Sequence, residues 1–269
     1  MDEMKSLTEC ERGVLIGQIQ PCILRPRVTE IGKIEMTRIV RRIKELVSLF
    51  AGKMFFVAPN IKCPTERFGS GYGGWDVVPT NIDSHSIVYS FGVGEDASFD
   101  IALIEKFDLT IQAFDPTPKS IEWVKKQRFT DRFVMHDCGI AALDGTVLFN
   151  PPENPDHVSH TLLDRPSTKM QSISVPVKRL ESIMKELGHK YIDILKMDIE
   201  GAEYDVINEM SKSDIRPQQI LVEFHHRFQG VGIRETIKAI RRLKIMGYNL
   251  FSVSDTNEEF GFIRGPCVK

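Results

Sequence analysis

Three carboxylates, Asp198, Glu200 and Glu203, crowd one short stretch of the chain, YIDILKMDIEGAEYDVINEM from Tyr191 to Met210. Like charges at this spacing repel and raise one another's pKa, so packing alone does not favour them there. A carboxylate in such a group can hold a cationic ligand, orient a hydroxyl or accept its proton. Glu203 also has a plainer reading, as a first-turn acid that complements the helix dipole. Asp198 lies ahead of the helix proper, where that reading does not reach.

A second set of residues is spaced for cofactor binding. Gly92-Val-Gly94 follows the apolar run Ile87–Phe91, and Asp115 follows the run Leu109–Phe114. Glycines there let a ligand approach the backbone, and the next helix offers its N-terminal N–H groups. Gly92-x-Gly94-x-x-Ala97 satisfies the relaxed dinucleotide fingerprint, with Asp115 at about the 20-residue distance of a ribose acid. The same piece suits S-adenosylmethionine (SAM), whose ribose also presents two hydroxyls, so NAD and SAM both stay open at this point. Asp115 could equally just open the Asp115-Pro116 turn. Asp137, after the run Arg132–Met135, is placed to meet an adenine amino group or to form a turn before Gly139. His225 and His226 follow Gln219–Phe224; only one of two consecutive strand residues can face a cleft, where it would assist proton removal. Clustered carboxylates bind hard cations, but Glu223 and histidines stand where a second carboxylate-amide pair would be needed, so no metal is assigned. A serine hydrolase finds no G-x-S-x-G elbow.

These residues need elements to position them. Ile192–Met197 reads as a buried strand, and Ala202, Val206, Ile207 and Met210 share a helical face. In an open α/β sheet, a turn at the carboxyl end of a strand is where ligands bind. From Ile87 onward, strands and helices alternate. The strands are Ile87–Phe91, Leu109–Phe114, Arg132–Met135, Ile192–Met197 and Gln219–Phe224. The helices are Ser98–Phe107, Ser120–Gln127, one within Val175–Gly188, one after Gly201, and Ile233–Met246. Tyr248–Val253 and Phe260–Ile263 read as an antiparallel pair. Ala141–Asn150 reads as a hairpin turned at Asp144-Gly145, and residues 151–170 as a long polar excursion of the functional or mobile kind.

Upstream, Glu66–Pro79 places four glycines in six positions beside Tyr72 and Trp75, a backbone built for unusual angles or close approach. Thr29–Phe50 has helical spacing with Arg38, Arg41, Arg42 and Lys44 among the apolar residues, and residues 1–27 read as an extended arm. The 269 residues carry a formal net charge of -2, with no general attraction to nucleic acid or anionic lipid. No apolar run is long enough to span a bilayer, and the charged N-terminus lacks a signal-peptide core. Five scattered cysteines without a C-x-x-C argue against a zinc site or disulfide framework and suit a reducing, cytoplasmic setting.

The stretch L-K-M-D-I-E-G-A-E, with the G-G-W segment at Gly73–Trp75, resembles the signature of the FkbM-type SAM-dependent methyltransferases, a family related to the methyltransferase-like 24 group. The resemblance spans roughly Glu66 to Arg264. It implies a Rossmann-like class I methyltransferase domain over 66–269, after an N-terminal arm and helical extension over 1–65. Its sheet would be mostly parallel and seven-stranded, with an antiparallel C-terminal strand and helices on both faces. The implied cofactor is SAM, held by Phe91, Gly92, Gly94, Asp115, Asp137 and Asp198. Asp198, Glu200 and His225 are the implied catalytic set. The glycine-rich segment would close over cofactor or substrate. The expected reaction is O-methylation of a hydroxyl on a sugar or other small polar metabolite, with no nucleic-acid partner. An NAD-dependent oxidoreductase, a non-catalytic methyltransferase-fold binding module and an N-methyltransferase are the alternatives. One departure stands out: Tyr89-Ser90-Phe91 replaces the usual acid of the first motif, and Asp96 stands where a third glycine is common.

Overall fold

The computed structural model describes residues 55–150, 172–228 and 230–267. The expected arm, the cationic helix at Thr29–Phe50 and the polar excursion at 151–170 lie outside the described residues. Strands β1 (Glu66–Phe68) and β2 (Trp75–Val77) form an antiparallel hairpin around the glycine-rich loop. Then β3 (Ile87–Phe91), α1 (Ser98–Phe107), β4 (Thr110–Phe114), α2 (Pro118–Lys126) and β5 (Phe133–His136) follow in alternation. After β6 (Gly139–Ile140), β7 (Gly145–Phe149) and β8 (Ile173–Lys178) come α3 (Leu180–Leu187), β9 (Ile194–Met197) and α4 (Glu203–Met210). The chain continues through β10 (Gln219–Glu223), α5 (Ile233–Ile245), β11 (Tyr248–Val253) and β12 (Glu259–Arg264).

Seven strands form the central sheet in the order β11-β12-β10-β9-β3-β4-β5. The pairs β10–β9, β9–β3, β3–β4 and β4–β5 are parallel, and β12 runs antiparallel to both neighbours. Strands buried on both faces read as continuous apolar runs, which is why Ile194-Leu195 and Ile220-Leu221-Val222 carry no polar face. Their side chains still alternate. Tyr89, Phe91, Leu195, Met197, Ile220 and Val222 pack with α3, α4 and α5. Val88, Ile111, Ile194 and Leu221 pack on the other side with α1 and the β1–β2 hairpin. The sheet order reverses between β3 and β9, and their carboxyl ends frame the crevice where such folds bind ligands.

Two expectations need correction. Asp144-Gly145 does not turn a hairpin between neighbouring strands. β7 pairs antiparallel with β8, and β6 pairs parallel with the same strand, so β8 lies between them. The Asp144 carboxylate is drawn instead to the start of α3, accepting from Arg179 N (2.8 Å), Arg179 Nε (3.0 Å) and Ser182 Oγ (2.9 Å). A backbone amide, a guanidinium and a hydroxyl at the start of α3 together outweigh the local hairpin preference of an Asp-Gly pair.

The cysteines are not all thiols. Cys63 and Cys267, separated by 204 residues, are joined in a disulfide with their Cα atoms 5.5 Å apart. Cys63 and Cys267 both pack against the core on the α1 side of the sheet. The segment leading to Cys63 is also tied down: Asn60 N donates to Leu250 O, and Leu250 N donates to Asn60 Oδ1 (2.6 Å). The reducing setting expected from scattered thiols loses its basis here, because cystines persist chiefly in oxidising compartments. In denaturant titrations, Cys63→Ser is expected to be about 2–4 kcal/mol less stable than the oxidised parent, with reductant bringing the parent to the same curve. Coincident parent curves with and without reductant would remove the bond from the structure.

Candidate active site

The carboxylate turn joins β9 to α4, and a second turn past β10 supplies its counterpart. Glu203, the first residue of α4, has no exposed surface. Its carboxylate accepts from Gly201 N (2.9 Å), from His225 N (2.9 Å) and from His225 Nδ1 (3.3 Å). This bonding places the imidazole, itself buried, among the other acids. His225 Nε2 lies 3.5 Å from Glu200, 3.7 Å from Asp198 and 3.9 Å from Glu223. Burial alone would lower the His225 pKa, but the surrounding carboxylates, Glu203 foremost, push it up to about 10. Glu223 is pushed up to about 9, first by burial and then by the charge of Asp198. Protons are therefore held on this cluster at neutral pH, which relieves the repulsion that the sequence implies.

Strand geometry explains the choice between the two histidines. Glu223 and His225 are two residues apart and share a side, whereas His226 points the other way. The His226 ring meets Phe55 edge-on with centroids 5.5 Å apart. Glu200 adopts a left-handed backbone with φ 53°, an uncommon conformation for a residue with a Cβ.

The glycine turn lies directly against the carboxylate turn. Asp198 N donates to Phe91 O (3.1 Å), and Gly92 has φ 83°. A Cβ at Gly92 would collide with the Asp198 carbonyl oxygen, so only glycine fits there. Lys196, buried in β9, donates from Nζ to Gly92 O (2.6 Å). Asp115 is also buried, and both of its oxygens are engaged. Oδ2 accepts from Val93 N (3.1 Å) and Gly94 N (3.0 Å), while Oδ1 accepts from Thr117 N (2.9 Å) and Thr117 Oγ1 (2.6 Å). A carboxylate has about four acceptor positions, and here Asp115 uses them to brace the glycine turn. Phe91 lies at the end of β3, next to Gly92. Its ring is fully buried and stacked on Phe114 at 4.4 Å, as an aromatic at an inward strand position should be. Asp137 is exposed just past β5, beyond His136, whose ring stacks on Phe114 at 4.6 Å.

The glycine-rich loop is docked onto the same turn. Ser70 Oγ donates to Asp96 (2.9 Å) and accepts from Gly73 N (2.8 Å), and Ser70 N donates to Ser98 Oγ (2.8 Å). A Cβ at Gly73 would run into the Asp96 carboxylate. Burial opposes the charge of Asp96, but hydrogen bonds from Ser98 and Ser70 and the Lys196 charge hold its carboxyl below the usual range. Trp75 is a core residue at 6% exposure, while Tyr72 is 95% exposed. Residue by residue, the sequence did not point to Lys196, Ser70 or the organising role of Glu203. The available signal for Lys196 was a lone cation inside the apolar run Ile194-Leu195-Lys196-Met197.

This strand order, with a glycine turn at the end of β3 facing an acidic turn at the end of β9, defines a Rossmann-like class I methyltransferase fold. Residues 82–250 match the family described as Methyltransferase FkbM domain, and the chain belongs to that family. Among curated proteins it is similar to the "Probable methyltransferase-like protein 24" of Rattus norvegicus. That match has 24% identity and covers 68% of this chain and 43% of the relative. The Homo sapiens protein of the same description is 25% identical, with 58% of this chain and 37% of the relative covered. The chain thus spans less than half the length of these curated relatives. Among solved structures, methyltransferase FkbM from Methylobacillus flagellatus KT is similar at 14% identity. Its TM-score is 0.43, with 68% of this chain and 44% of that chain covered. A precorrin-6y C5,15-methyltransferase from Geobacter metallireducens GS-15 is similar at 9% identity. Its TM-score is 0.38, with 68% of this chain and 84% of that chain covered.

Because Asp115 bonds four donors of its own chain, Asp115→Ala is expected to lower stability by roughly 1–3 kcal/mol even without ligand. Thermal or chemical unfolding of the ligand-free protein checks this. An unchanged transition would remove this bracing role from Asp115.

Proposed function

We propose that the chain is a SAM-dependent methyltransferase acting on a hydroxyl of a sugar or other small polar metabolite. The observation that carries this reading is the convergence of Asp198, Glu200, Glu223 and His225 directly beside the Gly92–Gly94 turn. The site suits the cofactor. Gly92 and Gly94 have φ 83° and 58° and leave the backbone open to close approach. The neighbouring acids complement a cationic ligand. Gly92, Gly94, Asp96 and Asp137 would hold it, with Asp198 toward the acceptor. When bound, SAM supplies an electrophilic methyl group.

The protein's own part is to align the acceptor, exclude water and manage one proton. Asp198 is a third exposed and can receive the acceptor hydroxyl as a hydrogen-bond donor. His225 steadies its charge, and Glu203 steadies His225. The Ser70–Trp75 segment, fastened at Ser70 and presenting Tyr72, is suited to cover the acceptor. A dinucleotide fits less well, because the Val93 and Gly94 amides that a pyrophosphate would need already donate to Asp115. Among the described residues no helix is long and apolar enough to cross a membrane. The Cys63–Cys267 bond favours an oxidising compartment over the cytoplasm.

Screening carbohydrate and polyol pools with labelled SAM tests the reading. With an authentic acceptor, Asp198→Asn is expected to lower turnover at least about tenfold, ~1.4 kcal/mol of barrier, with SAM affinity within a few-fold of the parent. Glu200→Gln should raise KM more than it lowers turnover. Full activity in both variants would make the carboxylate turn structural. Separately, amides of Ser70–Trp75 are expected to gain hydrogen-exchange protection when S-adenosylhomocysteine or acceptor binds; indifference to both would leave the segment a connector.

A further inference from the structure

The acids of the β9–α4 turn do not simply surround one another; they surround an imidazole whose orientation is imposed from behind. Glu203, fully buried, accepts a hydrogen bond from His225 Nδ1–H, so the Nε2 face is the one presented to Asp198, Glu200 and Glu223. The His225 side chain is only 8% exposed. The neighbours of Nε2 are three carboxylate oxygens at 3.5, 3.7 and 3.9 Å. The three carboxylates and Nε2 thus converge on one point, where a bound cation would replace the Nε2 proton, and Lys196 is directed to the Phe91 and Gly92 carbonyls instead.

Donor spacing identifies what fits. One donor atom each from Asp198, Glu200 and His225 lies within 4.8 Å of the other two. Ligands about 2.1 Å from a divalent ion stand roughly 3.0–3.4 Å apart in octahedral or tetrahedral arrangement. The observed 3.5 and 3.7 Å separations from Nε2 need only a few tenths of an ångström of contraction. A carboxylate that holds a ligating histidine from its second nitrogen is the usual outer partner of a metal-bound imidazole, and Glu203 is in that position.

We propose that Asp198, Glu200 and His225 bind one divalent cation of the Mn2+ type, with Glu203 as the positioning residue behind His225 and Glu223 close by. Two carboxylates and one imidazole form a mixed oxygen-nitrogen set that suits such an ion and leaves coordination positions open. An acceptor hydroxyl oxygen would occupy one of these, held near Asp198 and made more acidic by the ion. That role rests on the methyl-transfer reading above; the binding of the ion does not.

The test is direct binding. Chelator-treated, refolded-state-checked full chain is titrated with Mn2+ while the paramagnetic resonance signal of the free ion is followed, with Mg2+ and Zn2+ as competitors. One Mn2+ per chain is expected. Asp198→Asn should weaken binding at least about tenfold, and Glu203→Gln should weaken it about 10–100-fold through His225. Glu105→Gln, on the exposed side of α1, should bind like the parent. Asp198 is partly exposed, so its variant keeps the test usable if the buried Glu203 variant does not fold. A free-ion signal undiminished by the folded parent, or binding insensitive to Asp198→Asn, overturns the proposal and leaves a proton as the occupant of the cluster. S-adenosylhomocysteine binding to the same metal-free protein is measured in parallel. Cofactor binding without metal binding sinks the cation site alone, and metal binding without cofactor binding sinks the methyltransferase reading alone.

Discussion

The Glu203 carboxylate is the constraint on which the site depends. It is a charge with no exposed surface, a costly thing to bury unless it is fully bonded. Its partners are the Gly201 amide of its own turn and the backbone and ring of His225 on the next strand's exit. One side chain therefore ties the β9–α4 turn to the end of β10. If it is displaced, Asp198 and Glu200 lose their register against His225, although neither touches Glu203 in sequence. An acid at the first turn of a helix is favoured by the dipole in any case; here that local preference is put to use across two strands.

A second layer of the same logic shapes the cofactor side. The glycine turn is gripped from below by two buried charges of opposite sign. Asp115 collects the Val93 and Gly94 amides, and Lys196 collects the Gly92 carbonyl. Satisfying the backbone internally removes donors that would attract a phosphate and leaves acids around the opening. The spelling of the turn alone fits a dinucleotide as well as SAM. The loop at Ser70–Trp75 is attached to this turn through Asp96, so loop and turn share one hydrogen-bond network.

The periphery follows longer-range rules. Asp144 turns away from its local hairpin because a helix start and a guanidinium lie within reach. Cys63 and Cys267 meet because β12 is the second strand from the sheet edge and the segment ahead of β1 runs back along β11. Neither partner could be chosen from spacing, since the two cysteines are 204 residues apart.

Read alone, the sequence determined the alternating elements from Ile87 onward, the antiparallel final pair and the turns that gather the acids. Period-2 and period-3.6 patterns and turn glycines are local properties, and β3, α1, β9, α4 and α5 obey them closely. It also singled out Asp198, Glu200 and the pair His225-His226, because ionisable residues at the ends of apolar stretches are visible without a fold. Only the tertiary structure decided their working relations. Asp115 and Phe91 sit at positions that a motif assigns to a ligand; the structure adds that one accepts from its own chain's amides and the other is packed on Phe114. Lys196 looks like an interruption of a strand until Gly92 is brought against it. Which donor an acid finds, and which of two histidines turns inward, depend on groups distant in sequence and close in space, and no local pattern encodes that distance.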